Sequence, residues 1–297
     1  MAKIETLVQD VSKLLEKTAG KKNSVELTTE VLGNMGISVA KAMQRSLSRE
    51  DGAMRKDPNV IYAGELGNKC LRQLFYKHMY PNLAETLRAS NRFKFFYGDI
   101  VEEAILALVQ LAGHDVTDRQ KEIEIVVPDS SMKVRGRIDA LIDGVLVDVK
   151  SVTTRGFEDF KNGKGGAKFG YAHQLAAYEF GLKTKDKGFL YVDRQLGHFG
   201  YAPEKTKYTQ AGLTSRVHEI EHAITNSTLM GSENRLAPEP EGASGNMKLC
   251  TECSYCAFKK HCWQDANDGK GLRTFAYSNK IMFLTKVAKE PKVPEIK

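Results

Sequence analysis

Residues 134–152 read VRGRIDALIDGVLVDVKSV, and this stretch predicts a β-hairpin. Asp143 and Gly144 form the Asp-Gly pair typical of a two-residue type I′ turn, which requires positive φ angles. Counting outward from that turn places Asp139 directly opposite Asp148. Side chains opposite each other on neighbouring strands lie about 5 Å apart, where like charges repel. The hairpin therefore predicts an acidic face that needs a cation.

Lys150 lies two residues beyond Asp148 and so shares its face of the strand. Two carboxylates beside a lysine form a hard oxygen site that suits magnesium or manganese. The opposite face carries only apolar residues, namely Ile138, Ala140, Ile142, Val145, Val147 and Val149. A solvated hairpin with unrelated charges is the alternative, and the clean separation of the two faces argues against it.

The whole chain has 297 residues, with 44 basic and 37 acidic side chains and a net charge of +7. This length fits about two domains, or one large α/β domain with additions. The positive charge favours a polyanionic partner. No apolar window of about 18 residues occurs, and the N-terminus mixes acids into an amphipathic pattern, so the sequence predicts a cytoplasmic protein without a membrane span or signal peptide.

Four of the five cysteines, Cys250, Cys253, Cys256 and Cys262, lie within thirteen residues. An odd total with this density indicates a metal or cluster site in a reducing compartment and not a disulfide framework. Four thiolates can hold zinc or an iron–sulfur cluster, and the spacing alone does not decide between them. Cys70, taken alone, is typical of an ordinary buried thiol.

A helix is predicted over residues 99–112. Glu102 shares its stripe with apolar residues and is expected to face the interior, whereas Glu103 shares a plausible solvent face with Asp99. A carboxylate facing the interior needs a cation or a hydrogen-bonding partner. Glu102 is therefore a candidate third ligand for the hairpin site.

Four aromatic residues precede that helix: Phe93, Phe95, Phe96 and Tyr97. They could stack on nucleic-acid bases. Core packing is the favoured interpretation, because large apolar side chains are usually buried.

Hydrophobic periodicity predicts the remaining elements. Helices are expected at residues 4–15, from Ser24 onward, and over about 171–182 and 208–225; strands are expected at 122–127, 133–142, 145–152, 187–193 and 198–203. The basic, glycine-rich residues 161–168 predict either a phosphate-contacting loop or a solvated linker. The end of the chain is expected to be mobile.

Residues 218–222 spell HEIEH, the H-E-x-x-H pattern of zinc metalloproteases. Glu221 is charged where such active-site helices are normally uncharged, and no third ligand follows at the usual spacing. A zinc protease is therefore a remote alternative.

Four motifs occur in order: GxxxE at Gly98 and Glu102, GRID at Gly136–Asp139, DVK at Asp148–Lys150, and QxxxY at Gln174 and Tyr178. This constellation resembles the RecB-like nucleases of the PD-(D/E)xK superfamily. A lone upstream cysteine followed by C-x2-C-x5-C is similar to the iron–sulfur group that contains AddB nuclease domains and Cas-four-type exonucleases. The resemblance covers about residues 64–263.

The resemblance implies an α/β fold with a restriction-endonuclease-like core, in which helices flank a mixed central sheet. Residues 1–60 would form a helical extension, 61–233 the nuclease core, 234–266 a Cys-rich cluster-binding segment packing with Cys70, and 267–297 a C-terminal tail.

The resemblance also implies a Mg- or Mn-dependent DNA exonuclease in recombination, repair or phage DNA metabolism. Glu102, Asp139, Asp148 and the Val149 carbonyl would hold the metal. Lys150 would act on the attacking water, while Gln174 and Tyr178 would position DNA or the hairpin ligands. Many relatives carry histidine in place of Glu102 or glutamate in place of Asp148.

Cys70, Cys253, Cys256 and Cys262 would hold a 4Fe-4S cluster by the same resemblance, with zinc as the alternative. Cys250 is an extra thiol that could replace Cys70. The implied partners are DNA, single-stranded or with free ends, and a recombination, helicase or single-strand-binding protein. A non-catalytic DNA-end-binding protein with a structural cluster is the alternative function.

Overall fold

The computed structural model describes residues 3–18, 29–48, 57–226, 231–278 and 280–296. Ser24, where the sequence predicts a second helix to begin, lies outside these residues. The chain divides into two compact units. The described residues of the first unit lie within 3–48, 59–68 and 88–218, and those of the second within 57–58, 69–87 and 219–296.

The α-helices of the described residues are α1 (Leu7–Thr18), α2 (Thr29–Leu47), α3 (Leu71–Met79), α4 (Ala89–Leu111), α5 (Thr154–Lys161), α6 (Tyr171–Leu182), α7 (Gln210–Thr225), α8 (Thr251–Ser254), α9 (Lys259–Cys262) and α10 (Ala266–Gly269). The strands are β1 (Val60–Tyr62), β2 (Val116–Thr117), β3 (Glu122–Val126), β4 (Lys133–Arg137), β5 (Ala140–Ile142), β6 (Val145–Val152), β7 (Lys187–Asp193), β8 (Phe199–Pro203), β9 (Glu239–Glu241), β10 (Asn246–Lys248), β11 (Arg273–Ala276) and β12 (Ile281–Lys286).

Two mixed sheets form from the described strands of the first unit. The larger has five strands in the order β2-β5-β6-β7-β8, and the smaller has three in the order β1-β4-β3. β6 is antiparallel to β5 and parallel to β7, and β1 is parallel to β4.

The Asp-Gly turn forms as predicted, with φ of 51° at Asp143 and 80° at Gly144. The three pairs next to the turn are confirmed: Ile142 with Val145, Leu141 with Leu146 and Ala140 with Val147. The single predicted strand over residues 133–142 is wrong. The chain leaves the larger sheet at Asp139, because β4 pairs with β3 and β1 in the smaller sheet.

One face of the larger sheet is covered by α1 and α4. The apolar hairpin face contributes to this core, whose buried residues are Leu7, Val11, Ile105, Leu106, Val109, Ala140, Ile142, Val147, Val149, Leu190 and Val192. Leu7 and Val11 of the N-terminal helix α1 therefore belong to this core.

The aromatic cluster beside β7 fixes the segment over residues 161–168. Phe160 of α5 packs on Phe189 and Tyr191, with ring centroids 5.2 and 5.1 Å apart respectively. A Cβ at Gly165 would overlap the Phe160 ring. The glycines therefore allow close packing here, so the solvated-linker interpretation is wrong for this part of the segment.

The second unit contains the described antiparallel sheet in the order β11-β12-β10-β9. Arg273 of β11 binds Glu290 and Glu295 at 2.6 Å each, and the Ile296 amide donates to the Thr274 carbonyl. These contacts correct the expectation of a mobile end for residues 290–296.

The predicted fold class is confirmed, since helices flank a mixed central sheet and helical and Cys-rich segments lie at the expected ends of the chain. In the part of the chain that the structure describes, no helix has the length and apolar character needed to cross a bilayer.

Candidate functional site

β6 carries Asp148 and Lys150 on the sheet face opposite the α1–α4 core. Asp148 is only 4% exposed. The Lys150 Nζ lies 2.5 Å from Asp148 Oδ2. The two side chains thus form a close ion pair at a buried carboxylate.

Asp139 lies where the chain passes from β4 to β5, at the junction of the two sheets. Its Oδ2 accepts a hydrogen bond of 2.7 Å from the Val149 amide, and its carbonyl accepts one of 3.0 Å from the Gln120 amide. Asp139 therefore reaches the strand of Asp148 through its side chain, although the two residues are not paired in the β5–β6 ladder.

Of the two glutamates on α4, Glu103 departs from the prediction and Glu102 does not. Glu103 is only 1% exposed and pairs with Arg119, so its expected solvent position is wrong. Glu102 is half-buried, and its Oε1 accepts a hydrogen bond of 2.5 Å from Gln120 Nε2. Gln120 thus contacts both Asp139 and Glu102.

The acids lie close enough to raise one another's pKa. Burial and the charge of Asp139 raise the pKa of Glu102 to about 9. Burial and the charge of Asp148 raise the pKa of Asp139 to about 7. Burial opposes the charge of Lys150, but Asp148 and Asp139 raise its pKa above the ordinary value. The site therefore holds a fixed cation and crowded, partly protonated acids.

Gln174 and Tyr178 lie one turn apart on α6, as predicted. Gln174 Nε2 donates a hydrogen bond of 3.0 Å to the Tyr178 hydroxyl. Burial, together with the charges of Asp148 and Asp139, raises the pKa of Tyr178 to about 12. Gly136 lies under the Tyr178 ring, where any Cβ would overlap it. The glycine of the GRID motif therefore makes room for the tyrosine of QxxxY.

Two further residues at this site are absent from the sequence-based set. Lys150 Nζ lies 4.9 Å from the centroid of the Tyr171 ring, within cation–π range. Tyr171 lies one turn before Gln174 on α6. This helical spacing from the QxxxY motif is the feature of the sequence that could have identified Tyr171. Gln120 follows no motif and contacts Glu102 through tertiary folding alone.

The predicted packing of the aromatics before Glu102 is wrong for three of them. Phe93, Phe95 and Tyr97 are 64%, 52% and 41% exposed. All belong to α4, which begins ten residues earlier than expected.

The HEIEH motif lies on α7. His218 Nε2 donates a hydrogen bond of 3.0 Å to the Asp129 carbonyl, so this nitrogen is bonded to a backbone oxygen. This contact gives the zinc-protease interpretation no support.

No three His, Cys, Asp or Glu side chains of the described residues have the arrangement of a preformed metal site. The candidate ligands are held by other groups: Asp148 by Lys150, Asp139 by the Val149 amide and Glu102 by Gln120. The donor set nevertheless fits a hard divalent cation, because Asp139 lies close enough to raise the pKa of Glu102 and Asp148 close enough to raise that of Asp139. Crowded carboxylate oxygens are the ligands that such a cation prefers.

A separate cavity lies in the second unit. Among the described residues, its walls include the thiols of Cys70, Cys253, Cys256 and Cys262 but not that of Cys250. Burial raises the pKa of all four thiols. The four thiols implied by the resemblance thus line one cavity, and the Cys250 thiol lies directly against that of Cys253. Among the described residues these cysteines also lack the arrangement of a preformed metal site, but four neighbouring thiols are the donor set of a thiolate-held group.

Two arginines lie against this cavity. Arg72 is buried, and its Nη2 donates a hydrogen bond of 2.9 Å to the Tyr76 hydroxyl. The Nε atoms of Arg72 and Arg235 have no hydrogen-bond partner among the described residues. Both guanidinium groups lower the pKa of Cys262 against the larger effect of burial. They would offset the negative charge of a thiolate-held group.

No protein-family model matches the chain, and no curated protein matches it. Among solved structures, the chain is similar to the crystal structure of SSO0001, with 19% identity, a TM-score of 0.48 and coverage of 75% of this chain and 93% of that one. It is also similar to an alkaline exonuclease from Laribacter hongkongensis, with 16% identity, a TM-score of 0.40 and coverage of 56% and 86%. Because these identities and TM-scores are low, only the side chains of this chain bear on its chemistry.

Proposed function

We propose that this protein is a metal-dependent nuclease that hydrolyses phosphodiester bonds in DNA. The observation that carries the proposal is the convergence of Glu102, Asp139 and Asp148 with Lys150 at the junction of two sheets. Crowded acids beside a retained lysine are the donor set that phosphate hydrolysis with a divalent cation requires.

Glu102, Asp139, Asp148 and the Val149 carbonyl would hold Mg²⁺ or Mn²⁺. When bound, such an ion lowers the pKa of water and offsets charge on phosphate oxygens. Asp148 would have to exchange its contact with Lys150 for the ion. The freed Lys150 ammonium would then face the phosphate or the attacking water.

Lys150 would act as a cation in this site. Its pKa is raised above the ordinary value by Asp148 and Asp139, with burial opposing, so the ammonium keeps its proton at neutral pH. A protonated lysine can orient water and stabilise negative charge on the phosphate, but it is not a base. The Tyr171 ring, 4.9 Å from its Nζ, would help to hold its position.

DNA ends are the substrate implied by the motif resemblance, with exonuclease action in recombination, repair or phage DNA metabolism. Gln174 and Tyr178 would position the DNA strand or the acidic ligands. The same resemblance implies a helicase, recombination or single-strand-binding partner.

The second unit would hold a 4Fe-4S cluster on Cys70, Cys253, Cys256 and Cys262, with zinc as the alternative. The supporting observation is that these four thiols and two guanidinium groups line one cavity. Such a group would be structural, because it would join α3 to the C-terminal cysteines within that unit.

A DNA-end-binding protein without catalysis is the second candidate. The 2.5 Å contact between Lys150 and Asp148 favours it, because it blocks a carboxylate that a metal would need. This alternative predicts salt-sensitive DNA binding and no turnover stimulated by metal.

Incubation with end-labelled single-stranded and double-stranded DNA separates the two candidates. We expect cleavage with Mn²⁺ or Mg²⁺, none with EDTA, and none by Asp148→Ala or Lys150→Ala protein that retains its fold. His218→Ala is the control and should cleave normally. Full cleavage by folded Asp148→Ala protein would refute the mechanism. Tight binding without any cleavage by the wild type would instead support the DNA-end-binding protein without catalysis.

A further inference from the structure

The acid-free N-terminal half of α4 forms one continuous stripe that ends at Glu102. Between Glu85 and Asp99 the chain has no acidic residue but contains Arg88, Arg92 and Lys94. At 3.6 residues per turn, five residues share the Glu102 side of the helix. They are Arg88, Asn91, Phe95, Gly98 and Glu102 itself.

This stripe is exposed from Arg88 to Phe95 and half-buried at Gly98 and Glu102. Arg88 and Asn91 are exposed, and the Phe95 ring is 52% exposed. A Cβ placed on Gly98 would meet no atom within 4 Å. The surface one turn before Glu102 therefore has room for a chain to lie against the helix backbone.

The charges on this part of α4 favour an anion. The positive end of a helix dipole is normally balanced by acids in the first turn, but the first turn of α4 has none. Arg88 occupies the N-cap position without a capping hydrogen bond from its side chain, and Lys94 is exposed beside the stripe. A polyanion would complement both the dipole and the basic side chains.

Phe95 selects among polyanions. An exposed ring between basic side chains is the arrangement on which unpaired bases stack, and stacking tolerates any base sequence. In duplex DNA the bases already stack on one another and are not available to such a ring. An aromatic residue would add nothing to the binding of a phosphate backbone alone.

We propose that the stripe Arg88–Asn91–Phe95–Gly98 binds single-stranded DNA and leads it to the acids at Glu102. A base stacks on Phe95, phosphates contact Arg88 and Lys94, and the strand passes over Gly98. Phe95 and Glu102 are seven residues apart, or about 10 Å along the axis. This inference rests on the proposed function for the destination of the strand but not for the binding itself.

Phe93 provides a matched control on the same helix. It is 64% exposed, more than Phe95, but lies nine residues before Glu102 and so on the opposite side of α4. A ring there adds equal apolar surface without lying on the stripe. Phe93 also meets the Phe96 ring edge-on, with centroids 6.3 Å apart. Phe93→Leu and Phe95→Leu therefore remove exposed rings from opposite sides of the same helix.

The test is binding of a fluorescent oligo(dT) of about 12 nucleotides in EDTA, where no cleavage occurs, with an abasic oligomer of equal charge as comparison. We expect Phe95→Leu to weaken oligo(dT) binding about tenfold and Phe93→Leu to change it less than about twofold. Neither should alter binding of the abasic oligomer. Lys94→Gln should weaken both oligomers and lower the salt slope by about 0.7.

A second variant guards against loss of structure. Phe95→Trp should retain affinity, and the emission of the introduced indole should be quenched by oligo(dT) but not by the abasic oligomer. Equal effects of Phe93→Leu and Phe95→Leu would overturn the proposal. Unchanged oligo(dT) affinity in folded Phe95→Leu protein would also overturn it. If that variant abolished self-association of the chain and left oligo(dT) affinity unchanged, the stripe would be a protein contact and the proposal would again be overturned.

The outcome is separable from the nuclease proposal. Phe95-dependent binding by a wild-type protein that cleaves nothing with Mn²⁺ would refute hydrolysis and leave the stripe intact. Cleavage of single-stranded DNA with normal efficiency by Phe95→Leu protein would refute the stripe and leave hydrolysis intact.

Discussion

Two neighbouring carboxyl groups keep their protons in the folded protein at a pH where free carboxyl groups lose them. Burial and neighbouring acids raise the pKa of Glu102 to about 9 and that of Asp139 to about 7. Glutamate and aspartate in the unfolded chain have a pKa of about 4. Between that pH and the raised pKa values, the folded state binds more protons than the unfolded chain, so its stability falls as the pH rises.

We therefore predict that the melting temperature of the metal-free protein falls from about pH 5 to about pH 9 and levels off above that range. In this range the unfolded chain has lost its carboxyl protons while at least one of these two groups keeps its own. Differential scanning fluorimetry in EDTA measures this dependence, and Glu102→Gln should flatten it. Mn²⁺ should stabilise the protein more at high pH than at low pH, because the ion replaces protons on its ligands.

Glu124→Gln is the control for this pH dependence. Glu124 is exposed on β3, and hydrogen bonds from Arg135 and Lys133 lower its pKa, so it is ionised throughout the range. The slope should be unchanged in this variant. An unchanged slope in Glu102→Gln protein would contradict the assignment of the pH dependence to Glu102.

Individual residues show where sequence patterns stop being informative. The apolar stripe of α4 identified Glu102, but it placed Glu103 in solvent because the partner Arg119 lies sixteen residues further along the chain. Gln120 contacts Glu102 through a loop with φ of 54°, and no periodicity predicts such a contact. Tertiary pairing of polar groups decided these positions.

The pairing of the hairpin strands was predictable from the sequence only beside the turn. The register was predictable next to Asp143-Gly144, because a two-residue turn fixes the neighbouring pairs by local geometry. Beyond Ala140, pairing of β4 with β1 and β3 diverted the strand. Parallel pairing with β1 joins residues some seventy positions apart, which hydrophobic alternation does not encode.

Two glycines from the predicted motifs should respond oppositely to alanine. A Cβ at Gly136 would overlap the Tyr178 ring, whereas a Cβ at Gly98 would meet open space in the middle of α4. We expect Gly136→Ala to destabilise the protein by about 1–3 kcal/mol through overpacking. Gly98→Ala should stabilise it by about 0.5–1 kcal/mol, because alanine favours helix.

Urea denaturation followed by circular dichroism measures both effects. Tyr178→Ala tests the cause, since removing the ring should make Gly136→Ala nearly neutral in the double variant. If Gly136→Ala costs the same free energy with and without the ring, the tyrosine is not what constrains this glycine.

The described residues of the second unit come from three separate segments of the chain. Residues 69–87 belong with residues 219–296, although most of the first unit lies between them in sequence. Cys70 comes from the early segment, while Cys253, Cys256 and Cys262 come from the late one. The cysteine spacing could not predict this, because C-x2-C-x5-C is local and the choice between Cys70 and Cys250 depends on long-range folding.

We expect a group bound by thiolates to hold residues 69–87 and 219–296 of the second unit together. A group bound by thiolates from both would stabilise the folded unit, since it binds the native arrangement and not the separate segments. Anaerobically purified protein should contain iron and sulfide near one cluster per chain. Cys70→Ser should lose them, whereas Cys250→Ser should keep them, because the Cys250 thiol does not line the cavity within the described residues.

Limited proteolysis then reports the structural consequence independently of activity. Trypsin should cut after Lys77 in α3 much faster in Cys70→Ser protein than in the wild type or in Cys250→Ser protein, because α3 follows Cys70 directly. Zinc in equal amount to protein, with no iron, would reject the iron–sulfur assignment but keep the thiolate site. Loss of the metal from Cys250→Ser protein, with retention in Cys70→Ser protein, would instead make the site local to the C-terminal cysteines.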